Sequence, residues 1–193
     1  MISADVLLTA YRNGIFPMAE GRKGSISWYT ADPRGVLDPK EFHCPKRLAR
    51  TYRSGKYRIG FDTSFEAVIR GCANVLRGGN WISEEIVESY INLHRLGYAH
   101  SVESYSEHTG ELSGGLYGVA LGGIFFGESM FHLRPDASKV AMVALVDRLR
   151  SKGFLMIDIQ MLTPHTQRFG GKYVPPTEYK EILTQTLTLN VDF

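Results

Sequence analysis

The sequence predicts an α+β or α/β fold with a largely antiparallel sheet, and three observations lead there. Helix-capping residues open several amphipathic stretches, short alternating runs separate them, and one long apolar segment, 112–131, reads as a hairpin turning at Gly122–Gly123. A helix and a further strand follow that hairpin, which places helices against a sheet rather than in a bundle.

In chain order, Ser3 caps a helix that runs to about Asn13 and stops at Gly14. GIFPMAEGRKGS reads as loop, and SISWYTADPRGVL as one short strand and a turn. Pro45 begins a helix that ends at Gly55. Tyr57, Ile59 and Phe61 alternate as in a strand, and Thr63 with Glu66 fits a capping box for a helix through Val68, Ile69 and Cys72. Ser83, with Glu84 and Glu85 behind it, starts a helix ended by Gly97. AHSVESY (99–105) is a strand. Asp136 caps a helix with Val140, Val143, Val146 and Leu149 on one stripe, FLMIDIQM (154–161) is a strand, and TEYKEILTQTL (177–187) is a last helix.

At 193 residues the chain is long enough for one domain with a sizeable core. The opening MISADVLLTAYRNG lacks the basic and apolar regions of a signal peptide, and no apolar run is long enough to span a bilayer. Cys44 and Cys72 stand alone, with neither disulfide-scaffold nor zinc spacing, so a reducing, cytoplasmic setting without a metal or cofactor is expected. Charge is uneven. Residues 43–58 carry six of the 22 basic side chains and none of the 20 acidic ones. Lys46, Arg50 and Arg53 form a stripe with Arg47 beside it, opposite Leu48 and Tyr52, as suits docking to a polyanion; a merely solvated helix face is the alternative.

Two stretches carry candidate chemistry. In FLMIDIQM, Asp158 and Gln160 fall on one face with Phe154 and Met156, an acid and an amide that are costly on an apolar strand unless they line a cleft. The alternative is an edge strand whose polar residues face water. In GGIFFGESMF, Ile124, Phe126, Glu128 and Met130 share a face if no bulge intervenes, and Gly127 would permit one. A lone carboxylate in an apolar pocket suits a molecule with an apolar side chain and an ammonium group, and an amino acid has both. Trp81 and Trp28 fit base stacking or core packing equally well, and His165 is a weaker proton-shuttle candidate.

GIFPM (14–18), WYTADPRGVL (28–37), NWISEEIVESY (80–90), LHRLGYAHSVE (93–103), GGLYGVALGGIFFGESMF (114–131), DASK (136–139) and DIQMLTPH (158–165) resemble, in order and spacing, the leucyl/phenylalanyl-tRNA–protein transferase family. The resemblance implies a GNAT-like acyltransferase core over 1–193, with 1–37 as a reduced N-terminal helix and loop region. It implies transfer of Leu or Phe, and Met less well, from aminoacyl-tRNA to acceptor proteins or peptides beginning with Arg or Lys, which marks them for bacterial proteolysis. It assigns Asp158 and Gln160 to catalysis, Trp81, Phe125, Glu128 and Met130 to the aminoacyl-adenosine end, and the basic helix with Lys46, Arg47, Arg50 and Arg53 to tRNA. Phe126, Leu116 and Met18 complete the expected substrate site. Family members can carry Trp at the position of Met18 and Met at that of Leu116, which bears on adenine stacking and on the choice among Leu, Phe and Met. A monomer away from membranes is expected. Three rival readings remain: the same chemistry on acidic N-termini, a non-catalytic tRNA-binding module, and an acyl-CoA transferase. The last is disfavoured because FHLRPDASKVAM lacks a glycine loop and sets Asp136 at the helix start, where it repels a pyrophosphate.

Overall fold

Local signals set most element boundaries in the computed structural model, which describes residues 1–75 and 81–193. Ser3 Oγ accepts the Val6 N–H at 3.4 Å and opens α1 (Ala4–Arg12), and Gly14 leaves it at φ 70°, in the region that favours glycine. Ser83 does the same for α4 (Glu84–Arg95), accepting the Ile86 N–H, and left-handed Gly97 follows that helix. α2 (Lys46–Arg53) follows Pro45, and α6 (Pro164–Arg168) and α7 (Pro176–Leu187) close the series.

Two expected caps form differently. Thr63 does not pair with Glu66; its Oγ1 donates instead to Glu103 at 2.7 Å, and Ser64 takes the cap position of α3 (Phe65–Ala73) without a side-chain bond. The buried Glu103 carboxylate accepts the backbone N–H groups of Thr63 and Ser64 at 3.4 Å each, so a residue from a distant strand replaces the local box. Asp136 stands at the start of α5 (Ala137–Lys152) in a left-handed conformation, but its carboxylate binds Lys139 at 3.0 Å and Arg47 at 3.1 Å rather than capping the helix.

The stretch expected as loop contains a strand. β1 (Phe16–Ala19) pairs antiparallel with β2 (Ile26–Tyr29) in a separate two-stranded sheet, and Pro17 is tolerated because the ribbon is all edge. Four residues interrupted by proline carry too little alternation to be read as a strand. The segment after β2, expected as a turn, yields a second strand, β3 (Arg34–Leu37).

β3 joins β4 (Tyr57–Phe61), β5 (Ala99–Ser106), β6 (Leu112–Leu121), β7 (Ile124–His132), β8 (Met156–Gln160) and β9 (Lys172–Val174) in a seven-stranded mixed sheet ordered β4-β5-β6-β7-β8-β3-β9. The expected α+β architecture with a largely antiparallel sheet is what forms. Neighbours are antiparallel except β7 and β8, which α5 links as a crossover. Helices cover both faces. One core holds Leu7 of α1, Val68 of α3, Ile86 of α4 and Leu183 of α7; the other packs α5 and Leu48 of α2 on Leu116, Phe125 and Ile157. Burial of about 2 kcal/mol per large apolar side chain on each face makes the sheet a rigid partition between the two cores. Among the described residues no helix is long and apolar enough to cross a membrane. Asn80, the first residue of the 80–90 stretch, lies outside the described residues.

Candidate active site

The β6–β7 hairpin sets the site through one irregularity. The register runs Leu121↔Ile124 to Gly118↔Gly127 and resumes at Tyr117↔Ser129, so Glu128 is the extra residue of a β-bulge. A bulge reverses the alternation. Phe126 faces the core with α1, its ring 4.8 Å from that of Tyr11, whereas Met130 faces the opposite side with Leu116 and Phe125. The expectation that Phe126, Glu128 and Met130 line one pocket is therefore corrected for Phe126, which is fully buried away from it.

On the Met130 side a cavity of about 570 Å³ opens between the sheet and α5. Leu116, Phe125, Met130, Met142, Leu145 and Ile157 give it apolar walls, and Glu128 is the single acidic side chain among its described lining residues. Lys139, His132 and His165 also line it.

Glu128 bridges the two sides of the sheet. Tyr11 donates to its Oε1 at 2.8 Å and Gln160 Nε2 to the same oxygen at 3.3 Å; Tyr90 Oη, whose one proton is shared between Tyr11 Oη and Glu128, lies 3.4 Å from Oε2. Burial pushes the Glu128 carboxyl up to about 7, the Tyr11 hydrogen bond opposes this, and Asp158 adds to it. Both tyrosines are driven well above their ordinary range, chiefly by burial and then by the Glu128 charge, so each keeps its proton and remains a donor.

Asp158 has the opposite surroundings. It is fully buried and accepts from Arg34 Nε at 2.9 Å and a second guanidinium nitrogen at 2.8 Å, from Tyr179 Oη at 2.6 Å, and from the Gln160 backbone N–H at 2.9 Å. Arg34, 1% exposed, gives its remaining nitrogen to the Gly14 carbonyl at 2.8 Å and lies over the rings of Phe16 and Tyr179. Burial alone would lower the guanidinium, and Asp158 more than offsets it. The buried ion pair is tolerated because each guanidinium nitrogen and each carboxylate oxygen has a hydrogen-bond partner.

The shared face expected for Asp158 and Gln160 does not survive. The β3–β8 register slips between Gly35 and Val36, and Gln160 takes φ 52°. That left-handed turn swings the Gln160 side chain into the cavity lining beside Ile157 and Ile159, while Asp158 points to the Arg34 side. The Asp158–Gln160 N–H bond holds the turn in place, a costly conformation for a residue with a Cβ.

Trp81 and Met18 are half-buried against the α1 core, joined where the Ala19 N–H donates to the Trp81 carbonyl at 3.0 Å, and neither is among the cavity's lining residues. Lys46, Arg47, Arg50 and Arg53 are exposed along α2, with Leu48 buried beneath them. Arg34, Tyr179, Tyr11 and Tyr90 were absent from the sequence-based site. Tyr11 had one visible signal, a phenol on the apolar stripe of α1 with Leu7 and Leu8. Arg34 had none, because its partner lies 124 residues away.

The family model described as leucyl/phenylalanyl-tRNA protein transferase matches residues 36–184, and the model of that enzyme's N-terminal domain matches 1–32. A leucyl/phenylalanyl-tRNA–protein transferase of Rubrobacter xylanophilus is 50% identical over 192 residues, covering 100% of this chain and 98% of that protein. One from Gloeobacter violaceus is 48% identical over 192 residues, covering 100% and 97%. Among solved structures, L-PGS from Bacillus licheniformis aligns over 98% of this chain and 71% of its own at 13% identity, with a TM-score of 0.48.

Proposed function

The chain belongs to the leucyl/phenylalanyl-tRNA–protein transferase family, and is thus an aminoacyl-tRNA–protein transferase; from that premise we propose that it moves Leu or Phe, and Met less well, onto the N-terminal Arg or Lys of cytoplasmic proteins, creating a degradation signal. The observation that carries this reading is the apolar cavity of about 570 Å³ with Glu128 as its one described acid. The walls accept the donor's side chain, and the Glu128 carboxylate faces its ammonium group. Basic residues of α2 hold the tRNA phosphates, a contact that weakens as salt rises.

The reaction is aminolysis of an already activated ester, so alignment is the main requirement. The free α-amine of the acceptor attacks the ester carbonyl, the new C–N bond forms, and the bond to the ribose oxygen breaks. The proton shed by the amine leaves with that oxygen. An α-amine has a reference pKa of about 8, so its free base is accessible near neutrality. Gln160, cavity-lining and bonded to Glu128, orients the reacting groups. Asp158 has its acceptor sites occupied by Arg34, Tyr179 and the Gln160 N–H, so its role is to hold Gln160 rather than to take the proton. The enzyme acts as a monomer.

Lys139 and His132 in the cavity lining favour a second reading, in which the acceptor begins with an acidic residue. Transfer of labelled Leu or Phe from charged tRNA to peptides starting with Arg, Lys, Asp or Glu separates the two. Label is expected on the Arg and Lys peptides, falling about a hundredfold in Glu128→Gln. Label on the acidic peptides alone selects the second reading. Bound tRNA with no transfer to any peptide would leave only the RNA-binding module.

A further inference from the structure

Beyond α7 the chain returns to the sheet, and Phe193 settles on the face that carries the cavity. The reason lies in β6, where Gly118 and Ala120 alternate with the inward-facing Tyr117, Val119 and Leu121 of the other core. Gly118 pairs with His100 of β5, and Ala120 pairs with Phe125 of β7. Small residues between two larger ones leave a hollow on the sheet. Phe193 fills it, stacking on His100 at 4.3 Å and on Phe125 at 5.5 Å, with interplanar angles of 23° and 25°. Phe61 meets it edge-on at 6.3 Å.

Arg148 of α5 closes the hollow. Its guanidinium lies 4.8 Å from the Phe193 ring centroid and 4.5 Å from that of Phe61, and it donates to the Phe193 backbone oxygen at 3.0 Å. Phe125 is confined from below as well, since a Cβ at Gly118 would stand 2.5 Å from its ring. Clamped between the Gly118 backbone and the Phe193 ring, Phe125 presents one fixed edge to the cavity it lines.

We propose that Phe193 is a positioning residue that sets the depth of the cavity, and so the size of the aminoacyl side chain accepted, by holding Phe125 in place. The inference rests on the reading of the cavity as the aminoacyl side-chain site. Phe193 is not among the lining residues and acts through Phe125. Without its ring, Phe125 swings back into the vacated hollow and the floor deepens, which favours a larger side chain over Leu.

The test compares kcat/KM for Leu-tRNA and Phe-tRNA, with one Arg-starting peptide, in the wild type, Phe193→Ala, Phe193→Leu and Phe193→Tyr. The Phe-to-Leu ratio is expected to rise about tenfold in Phe193→Ala, mostly through the donor KM. Phe193→Leu gives a smaller rise and serves if the alanine variant does not fold, and Phe193→Tyr restores the wild-type ratio. A loss of stability that merely scales both donors down by the same factor overturns the proposal, as does an unchanged ratio. A wild type that transfers neither donor overturns the reading of the cavity and this inference with it; transfer of both with unchanged ratios in the variants overturns this inference alone.

Discussion

Two carboxylates contact Gln160, and they live in opposite surroundings. Asp158 meets the Gln160 backbone and a buried guanidinium; Glu128 meets the Gln160 side chain and two phenols, with no cation bonded to it among the described residues. Both are withdrawn from water; Asp158 is bonded to the Arg34 guanidinium, whereas burial pushes the Glu128 carboxyl up to about 7. The difference teaches that burial alone assigns no role to an acid. Donors that carry charge turn a carboxylate into a fixed strut, whereas neutral donors leave one poised to titrate.

The largest expected effect breaks the strut. Asp158→Ala strands the Arg34 charge in the core and costs about 3–5 kcal/mol in urea unfolding, whereas the paired Arg34→Met, Asp158→Leu protein loses far less. Equal losses in the single and paired variants would show that the ion pair is not what holds Gln160 and its neighbours.

The next prediction sharpens the contrast. Tyr11→Phe removes a hydrogen bond that favours the charged form of Glu128, so its carboxyl rises above about 7. In the proposed role the Glu128 carboxylate meets the donor's ammonium group, so the limb of the pH–rate profile that rises with pH is expected to move to higher pH. The rate at pH 7 drops and is recovered in more basic buffer. A limb that stays in place would separate Glu128 from the rate.

The smallest effect lies far from both acids. Arg50→Ala on the exposed face of α2 should weaken tRNA binding and reduce the slope of log affinity against log salt by about one, with stability changed by less than about 0.5 kcal/mol. An unaltered slope would move the phosphate contact off this helix.

Much of the scaffold was legible from local patterns. Ser3 and Ser83 as caps, Gly14 and Gly97 as stops, and the turn at Gly122–Gly123 depend on neighbours a few residues away, and all stand where the chain's own chemistry puts them. β1 was hidden because four residues with Pro17 make a strand only when β2 supplies its ladder. Thr63 looked like a cap until Glu103, 40 residues on, drew its hydroxyl away.

By itself, the sequence determined the helices and strands with strong periodicity, the basic face of α2, and the isolation of Glu128 in an apolar stretch, because each is a property of adjacent residues. Tertiary structure alone decided which way the site residues point. The bulge at Glu128 reversed Met130 relative to Phe126, and the left-handed Gln160 parted its side chain from Asp158. Arg34, Tyr179, Tyr11 and Tyr90 became part of the site only when strands and helices from distant positions met. A residue's face depends on local backbone parity, which one inserted residue inverts, and a carboxylate's charge depends on donors that only folding brings within reach.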